Sequence, residues 1–251
     1  MKYWIFCCVC FMQTFVVMSQ TNFYNQIKDY NLSEVIKPNE IFEVSEGVKR
    51  KMLSEALIYG FIGDDYQRFD IKYFSVVKNE KNPYEYFVSG KTRVKNNICS
   101  FQGTFLVKEA FVINQTSYPD YKSGFIVFEI HIFENKTDKS SGMISGKLIS
   151  NFIIDLNNTL TYDALDFFSD SFANNQFIGK WTSYKTKKSK KCHWGDFRIP
   201  ESGDLDIGAG EFSPNSKYFN KGWKSLILIN SSETELDVDK GLELENFKWW
   251  E

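Results

Sequence analysis

The chain has 251 residues, 43% of them hydrophobic and 17% aromatic, with 24 Phe and 13 Tyr. That content fills the core of one large domain and excludes an intrinsically disordered chain. The formal net charge of −2 excludes overall electrostatic attraction to nucleic acid, so no nucleic-acid partner is expected.

The first residues, MKYWIFCCVCFMQTFVVMS, set one lysine ahead of an apolar run from Tyr3 to Met18, with the small Ser19 before Gln20. This is the pattern of a secretory signal peptide, 1–19, and we expect cleavage after Ser19. The mature chain is then secreted, periplasmic or extracellular, with no transmembrane segment. Residues 20–44 lack a clear period and contain Pro38, which predicts an irregular arm on the surface. From 45 to 60, Val48, Met52, Ala56 and Tyr59 recur at helical spacing and Gly60 supplies a stop, predicting one N-terminal helix that plugs an open barrel end or packs on a sheet. Residues 45–251 read as a single β-rich domain.

Phe69, Ile71 and Tyr73 alternate with Asp70 and Lys72 to begin a strand that ends near Lys78. In the stretch 84–113, Tyr86, Val88, Thr92 and Val94 share one face, and Cys99, Phe101, Phe105 and Val107 share another after the polar pair Asn96-Asn97. Such period-2 patterns around a polar tip predict a long hairpin. A second hairpin is predicted from 125–133, with Ile126, Phe128, Ile130 and Ile132 on one face, and from Ile144, Leu148, Phe152 and Ile154 beyond a polar turn. After an irregular stretch, 155–175, comes a strand at 177–185, then short pieces at 192–198, 206–212 and 223–229.

Strands joined by short polar turns, with no βαβ rhythm, predict an antiparallel meander. Four segments, VSGKTRV, FQGTFLV, ISGKLIS and FIGKWTS, carry a glycine within the strand, as suits a sheet that must bend or close. The predicted fold is mainly β, a barrel or strongly bent sheet; a two-sheet β-sandwich is the alternative.

Cleavage leaves two cysteines, Cys99 and Cys192. In an oxidising compartment they read as one disulfide, with two buried free thiols as the alternative. The segment 191–211, KCHWGDFRIPESGDLDIGAGE, is densest in side chains able to bind. His193, Asp196, Arg198 and Glu211 are candidate ligand contacts there, with Trp194 as a stacking wall; a solvated, glycine-rich connection is the alternative. Asp204-x-Asp206-x-Gly208 has the opening of a calcium loop without its later ligands, and the few His and Cys lack zinc spacing, so no metal or cofactor is assigned. Common hydrolase and nucleotide fingerprints are absent, and Cys192 and His193 point apart in a strand, so no catalytic residue is assigned.

Gly179-Lys180-Trp181 resembles the Gly-x-Trp motif of the lipocalin-like, or calycin, group. The likeness covers one strand and implies a barrel that binds small apolar ligands in its lumen. In that group the motif lies on the first barrel strand, whereas here several strands precede it. Trp181 thereby joins the candidate contacts. The function expected from these features is a secreted, non-catalytic β-rich protein that binds a small or extended ligand. The alternatives are a structural or adhesive envelope protein and an extracellular hydrolase centred on His193, Asp196 and Glu211. Nothing in the sequence sets an oligomeric state.

Overall fold

The fold is described from a computed structural model over residues 20–45, 48–113 and 117–251. The predicted signal peptide, 1–19, lies outside them. In chain order the elements are β1 (Gln20–Asn22), α1 (Tyr24–Ile27), α2 (Ser33–Ile36), β2 (Ile41–Ser45), β3 (Val48–Leu53), β4 (Ile58–Ile62), β5 (Gln67–Arg68), β6 (Asp70–Lys78) and β7 (Glu85–Val94). They continue with β8 (Asn97–Ile113), β9 (Tyr121–Glu134), β10 (Gly142–Asp155), β11 (Leu160–Tyr162), β12 (Asn174–Ser183), β13 (Ser189–Asp196), α3 (Lys224–Ser231) and α4 (Glu235–Asn246).

The sheet is an antiparallel meander that curls back on itself, as the barrel reading expected. Pairing runs β5-β4-β13-β12-β10-β9-β8-β7-β6. Its two ends, β5 and β6, are consecutive stretches of one strand separated only by Phe69, whose N–H donates to Gly60 O at 2.9 Å. The wall therefore returns to its start at a short seam, where Phe61 pairs with Arg68 and Ile62 with Gln67. Beyond Phe69, β4 and β6 part, so the wall is complete over only part of its height.

Side-chain alternation decides which face turns inward. Along β9, Ile126, Phe128, Ile130 and Ile132 are wholly buried while Glu129, His131 and Phe133 point out, as period 2 requires of a half-buried strand. Bulges at Tyr73/Ser75, Val107/Glu109 and Asn174/Phe177 supply the bends a curled sheet needs. Two signature glycines, Gly146 and Gly179, lie directly opposite each other in the register. A Cβ would fall 2.8 Å from the Phe177 ring at the first and 2.4 Å at the second. Their bareness lets Phe177 lie across the wall and stack on Trp194 at 3.7 Å between centroids. The lumen is consequently a packed core rather than a calyx.

One end of the barrel is plugged, though not by the predicted helix. Residues 48–53 and 58–62 are strands: the helical spacing of Met52, Ala56 and Tyr59 spans two strands and a connection. Gly60 is a strand residue with no room for a Cβ, which would sit 2.9 Å from both Phe69 O and Trp194 Cβ. The plug is the arm expected on the surface. Its α1 and α2 bury Ile27, Leu32, Val35 and Ile36 in the barrel core. The Leu32 N–H donates to Tyr86 Oη (3.0 Å), and Asn175 Nδ2 donates to Val35 O (3.0 Å) and Ile36 O (3.3 Å). The predicted tip Asn96-Asn97 sits one residue early, at 95–96, with Asn97 already paired to Val94 and Lys95 at φ 56°.

Outside β4 and β13 a second core forms from Phe61, Leu205, Phe212, Trp223, Leu226 and Ile227. The piece at 223–229 thus belongs to a helix, α3, rather than to a strand. From α4, Glu245 returns to the barrel and takes both Nη groups of Arg68, at 2.6 and 2.8 Å.

Cys99 and Cys192 are free, buried thiols, which overturns the disulfide. They stand on β8 and β13, with three strands between them in either direction around the ring, whereas a disulfide needs Cα atoms within roughly 4.4–6.8 Å. Burial first, and the Glu134 carboxylate second, push the Cys99 thiol up to about 12 and Cys192 well above its usual value. Both are therefore poor nucleophiles. In protein lacking 1–19, a thiol reagent should label neither cysteine in the native state and both after unfolding; rapid native labelling would contradict this burial. Ile27→Ala should lower unfolding free energy in urea by about 2–5 kcal/mol; a change below about 1 kcal/mol would show that the plug does not support the core.

Candidate functional site

β13 sorts the sequence candidates by alternation. Cys192, Trp194 and Asp196 face the barrel interior, and His193 faces the outer core. The His193 ring lies 5.1 Å from Phe61, and its Nδ1 is 3.2 Å from Pro200 O; burial holds its pKa below the usual imidazole value. Trp194 is 1% exposed, between Phe177 and Phe69, so it fills the lumen rather than walling a pocket.

Arg198 is fully engaged in holding its own loop. Its Nε and Nη2 donate to Asp206 Oδ2 (2.9 and 2.6 Å), and its Nη1 to Ser171 Oγ (2.8 Å). Asp206 Oδ1 in turn accepts from the N–H groups of Gly208 and Ser213. Asp204 pairs instead with Lys217 and Tyr218. Glu211 is exposed. The stretch 191–211 is therefore the end of β13 followed by a loop, 197–211, that covers the outer side of the β4–β13 wall, and His193, Asp196 and Glu211 do not converge on one face. Among the described residues no group of three or more His, Cys, Asp or Glu is placed to hold a metal ion.

Trp181 lies elsewhere, at the end opposite the plug. There a pocket of about 320 Å³ opens at the barrel mouth. Ile62, Phe69 and Val94 give it an apolar part, Trp181 and Glu134 stand beside them, and Lys95, Lys190 and Asp65, the last paired with Lys221, complete its charged lining. Glu134 is 5% exposed and accepts three hydrogen bonds: from Thr92 Oγ1 (2.5 Å), Gly142 N (2.7 Å) and Trp181 Nε1 (2.8 Å). Burial raises its pKa, and those three donors oppose the rise. The chemical result is a clamp: the carboxylate fixes the indole plane of Trp181 at the edge of the pocket. Glu134 was not singled out from the sequence. Its only signal is a carboxylate at the end of the apolar strand 125–133, one residue past Phe133.

At the plugged end, Asp196 is 2% exposed and its Oδ2 accepts from Tyr162 Oη (3.0 Å) and Asn175 Nδ2 (2.7 Å). Burial, partly offset by these bonds, pushes its pKa up to about 7. The sequence cluster is thus divided, Trp181 at one end of the barrel and Asp196 at the other.

Compared with known proteins, the chain matches no family model, no curated protein and no solved structure. No helix among the described residues is long and apolar enough to cross a membrane.

Because the folded pKa of Asp196 exceeds its unfolded value, the stability it confers is full below about pH 4 and is lost as pH climbs towards about 7. The loss is on the order of a few kcal/mol. Asp196→Asn should remove that slope, so the melting temperature of the variant should gain on the native protein between pH 4 and 8. A pH-independent difference would contradict the buried-acid assignment.

Proposed function

We propose that the protein is a secreted, non-catalytic binding protein that takes a small amphiphile in the barrel mouth. The observation that carries this is the mouth pocket itself, with Trp181 held in place by Glu134. Its volume of about 320 Å³ stands at the lower end of the roughly 300–1,000 Å³ typical of small-molecule sites. The filled lumen below it limits the ligand to a short apolar body, which meets Ile62, Phe69, Val94 and the indole. Lys95 and Lys190 on the lining suit an anionic head. Export is supported by the apolar run that ends before Gln20.

A second reading, adhesion through the outer surface, has its own support. Phe74, Phe87 and Phe133 are each about half exposed around a hollow that includes Gly90 and Gly103. Exposed aromatic patches of this kind mark contact surfaces.

Octanoate titrated into the mature protein should give a saturable change in tryptophan emission that Trp181→Phe abolishes. Lys95→Ala with Lys190→Ala should weaken octanoate by about tenfold, or ~1.4 kcal/mol. Absence of saturation, or a response untouched by Trp181→Phe, would reject the mouth as the site. Binding lost only on replacing Phe74, Phe87 and Phe133 by serine would favour the adhesive reading.

A further inference from the structure

The seam between β4 and β6 leaves a second space. Its ladder stops at the Phe69–Gly60 bond, and the same register continued would set Tyr59 against Asp70 and Ile58 against Ile71, where no pairing forms. There, at the plugged end, lies a cavity of about 160 Å³ lined by Ile58, Tyr59, Tyr73 and Asp196, together with the C-terminal Trp249 and Trp250.

Two polar groups on this lining lack a full set of partners. Tyr73 is 5% exposed, and its hydroxyl makes no hydrogen bond; the Trp194 indole acts on it without a bond of ordinary geometry closing. A buried hydroxyl left unmatched is costly, by about 1–3 kcal/mol. Both side-chain hydrogen bonds of Asp196 end on Oδ2, which leaves Oδ1 without one. The two groups sense each other, since the Asp196 charge adds to the burial that raises the Tyr73 pKa.

The surrounding charges show what is missing. Asp70 is paired with Arg68 (2.9 Å) and Arg93 (2.8 Å), Glu245 with Arg68 (2.6 Å), and Glu55 with Lys72. Of the carboxylates bordering the cavity, Asp196 is the one with no cation within ion-pair distance among the described residues. A buried carboxylate is stable as an anion only when paired. The cations on the lining are engaged elsewhere, Arg68 and Lys72 with those carboxylates and Lys37 with Asn39, while Ile36, Ile58, Ile71 and the tryptophan rings give an apolar part that suits a carbon body.

We propose that this cavity binds a small organic amine, whose ammonium group donates to Asp196 Oδ1 and Tyr73 Oη and whose carbon body packs against Ile58 and the tryptophan rings. A cavity of about 150 Å³ holds a benzene ring, so the space here takes one ring, with the amine reaching the polar wall. The site is distinct from the mouth: β13 runs from Lys190 at one to Asp196 at the other.

The test is calorimetry and thermal shift on the mature protein at about pH 8, where Asp196 is largely ionised, with three probes of one shape: benzylamine, benzyl alcohol and benzoate. Benzylamine should saturate one site and raise the melting temperature, with benzyl alcohol at least tenfold weaker and benzoate silent. Asp196→Asn should cost benzylamine at least tenfold in affinity. Tyr73→Phe removes a hydroxyl that closes no hydrogen bond in the protein, so it should fold as well as the native chain while binding benzylamine at least threefold more weakly. It keeps the proposal testable if the Asp196 variant does not fold. Trp181→Phe should leave benzylamine binding unchanged, which separates failure here from failure at the mouth. No saturable benzylamine binding, equal affinity for all three probes, or binding indifferent to Tyr73→Phe would overturn the proposal; the cavity would then hold water only.

Discussion

The architecture depends on how the wall meets itself. A sheet that closes has to bring its first and last strands into register, and here the join is made by two residue pairs and the bond from Phe69 N–H to Gly60 O. Gly60 makes it possible, because a Cβ would strike both Phe69 O and Trp194 Cβ. On the mouth side of this join the wall is complete. On the other side β4 and β6 separate, and the chain covers the gap with material from both ends: the α1–α2 plug from within and the C-terminal segment at the seam.

Electrostatics holds the C-terminal segment there. Arg68, buried at the seam, forks onto Glu245 while its Nε reaches Asp70. Burial opposes ionisation of Glu245, but the Arg68 hydrogen bonds and charge outweigh it and keep the carboxyl below its usual range. Further along, the Arg93 guanidinium lies 4.9 Å from the Trp249 ring centre and the Lys72 ammonium 4.4 Å from that of Trp250. A buried fork of this kind is far more sensitive to loss of one partner than an exposed pair is. The packed lumen has the complementary effect: with Phe128, Phe177 and Trp194 filling the middle, the open space inside the barrel lies at its two ends among the described residues.

The strands were legible because their constraint is local. Ile126, Phe128, Ile130 and Ile132 alternate in the chain as they do in space, and the strand glycines at 146 and 179 admit the Phe177 ring. The helix read at 45–60 failed because a spacing of three to four apolar residues is also met by two short strands and a connection. The arm failed for the opposite reason: α1 and α2 are each 4 residues long, too short to show a period, and their burial is set by the barrel they enter. The site was legible only in fragments. Trp181 and Asp196 were singled out as residue types able to bind, yet the neighbour that matters to each comes from another strand: Glu134 reaches Trp181 across β10, and closure of the ring brings Tyr73 to the same cavity as Asp196. Cys99 and Cys192 were paired by compartment chemistry, whereas the ring places them on opposite walls.

The central claim is that ligands bind at the ends of this barrel and not in its lumen. A two-dimensional amide NMR titration of the mature protein with octanoate tests it most directly. The account predicts that the largest shifts fall on Val94, Asn97 and the Trp181 indole N–H, with the amides of Ile130 and Ile144 unmoved. Shifts centred on Ile130 and Ile144, or on the outer face around Phe87, would contradict it.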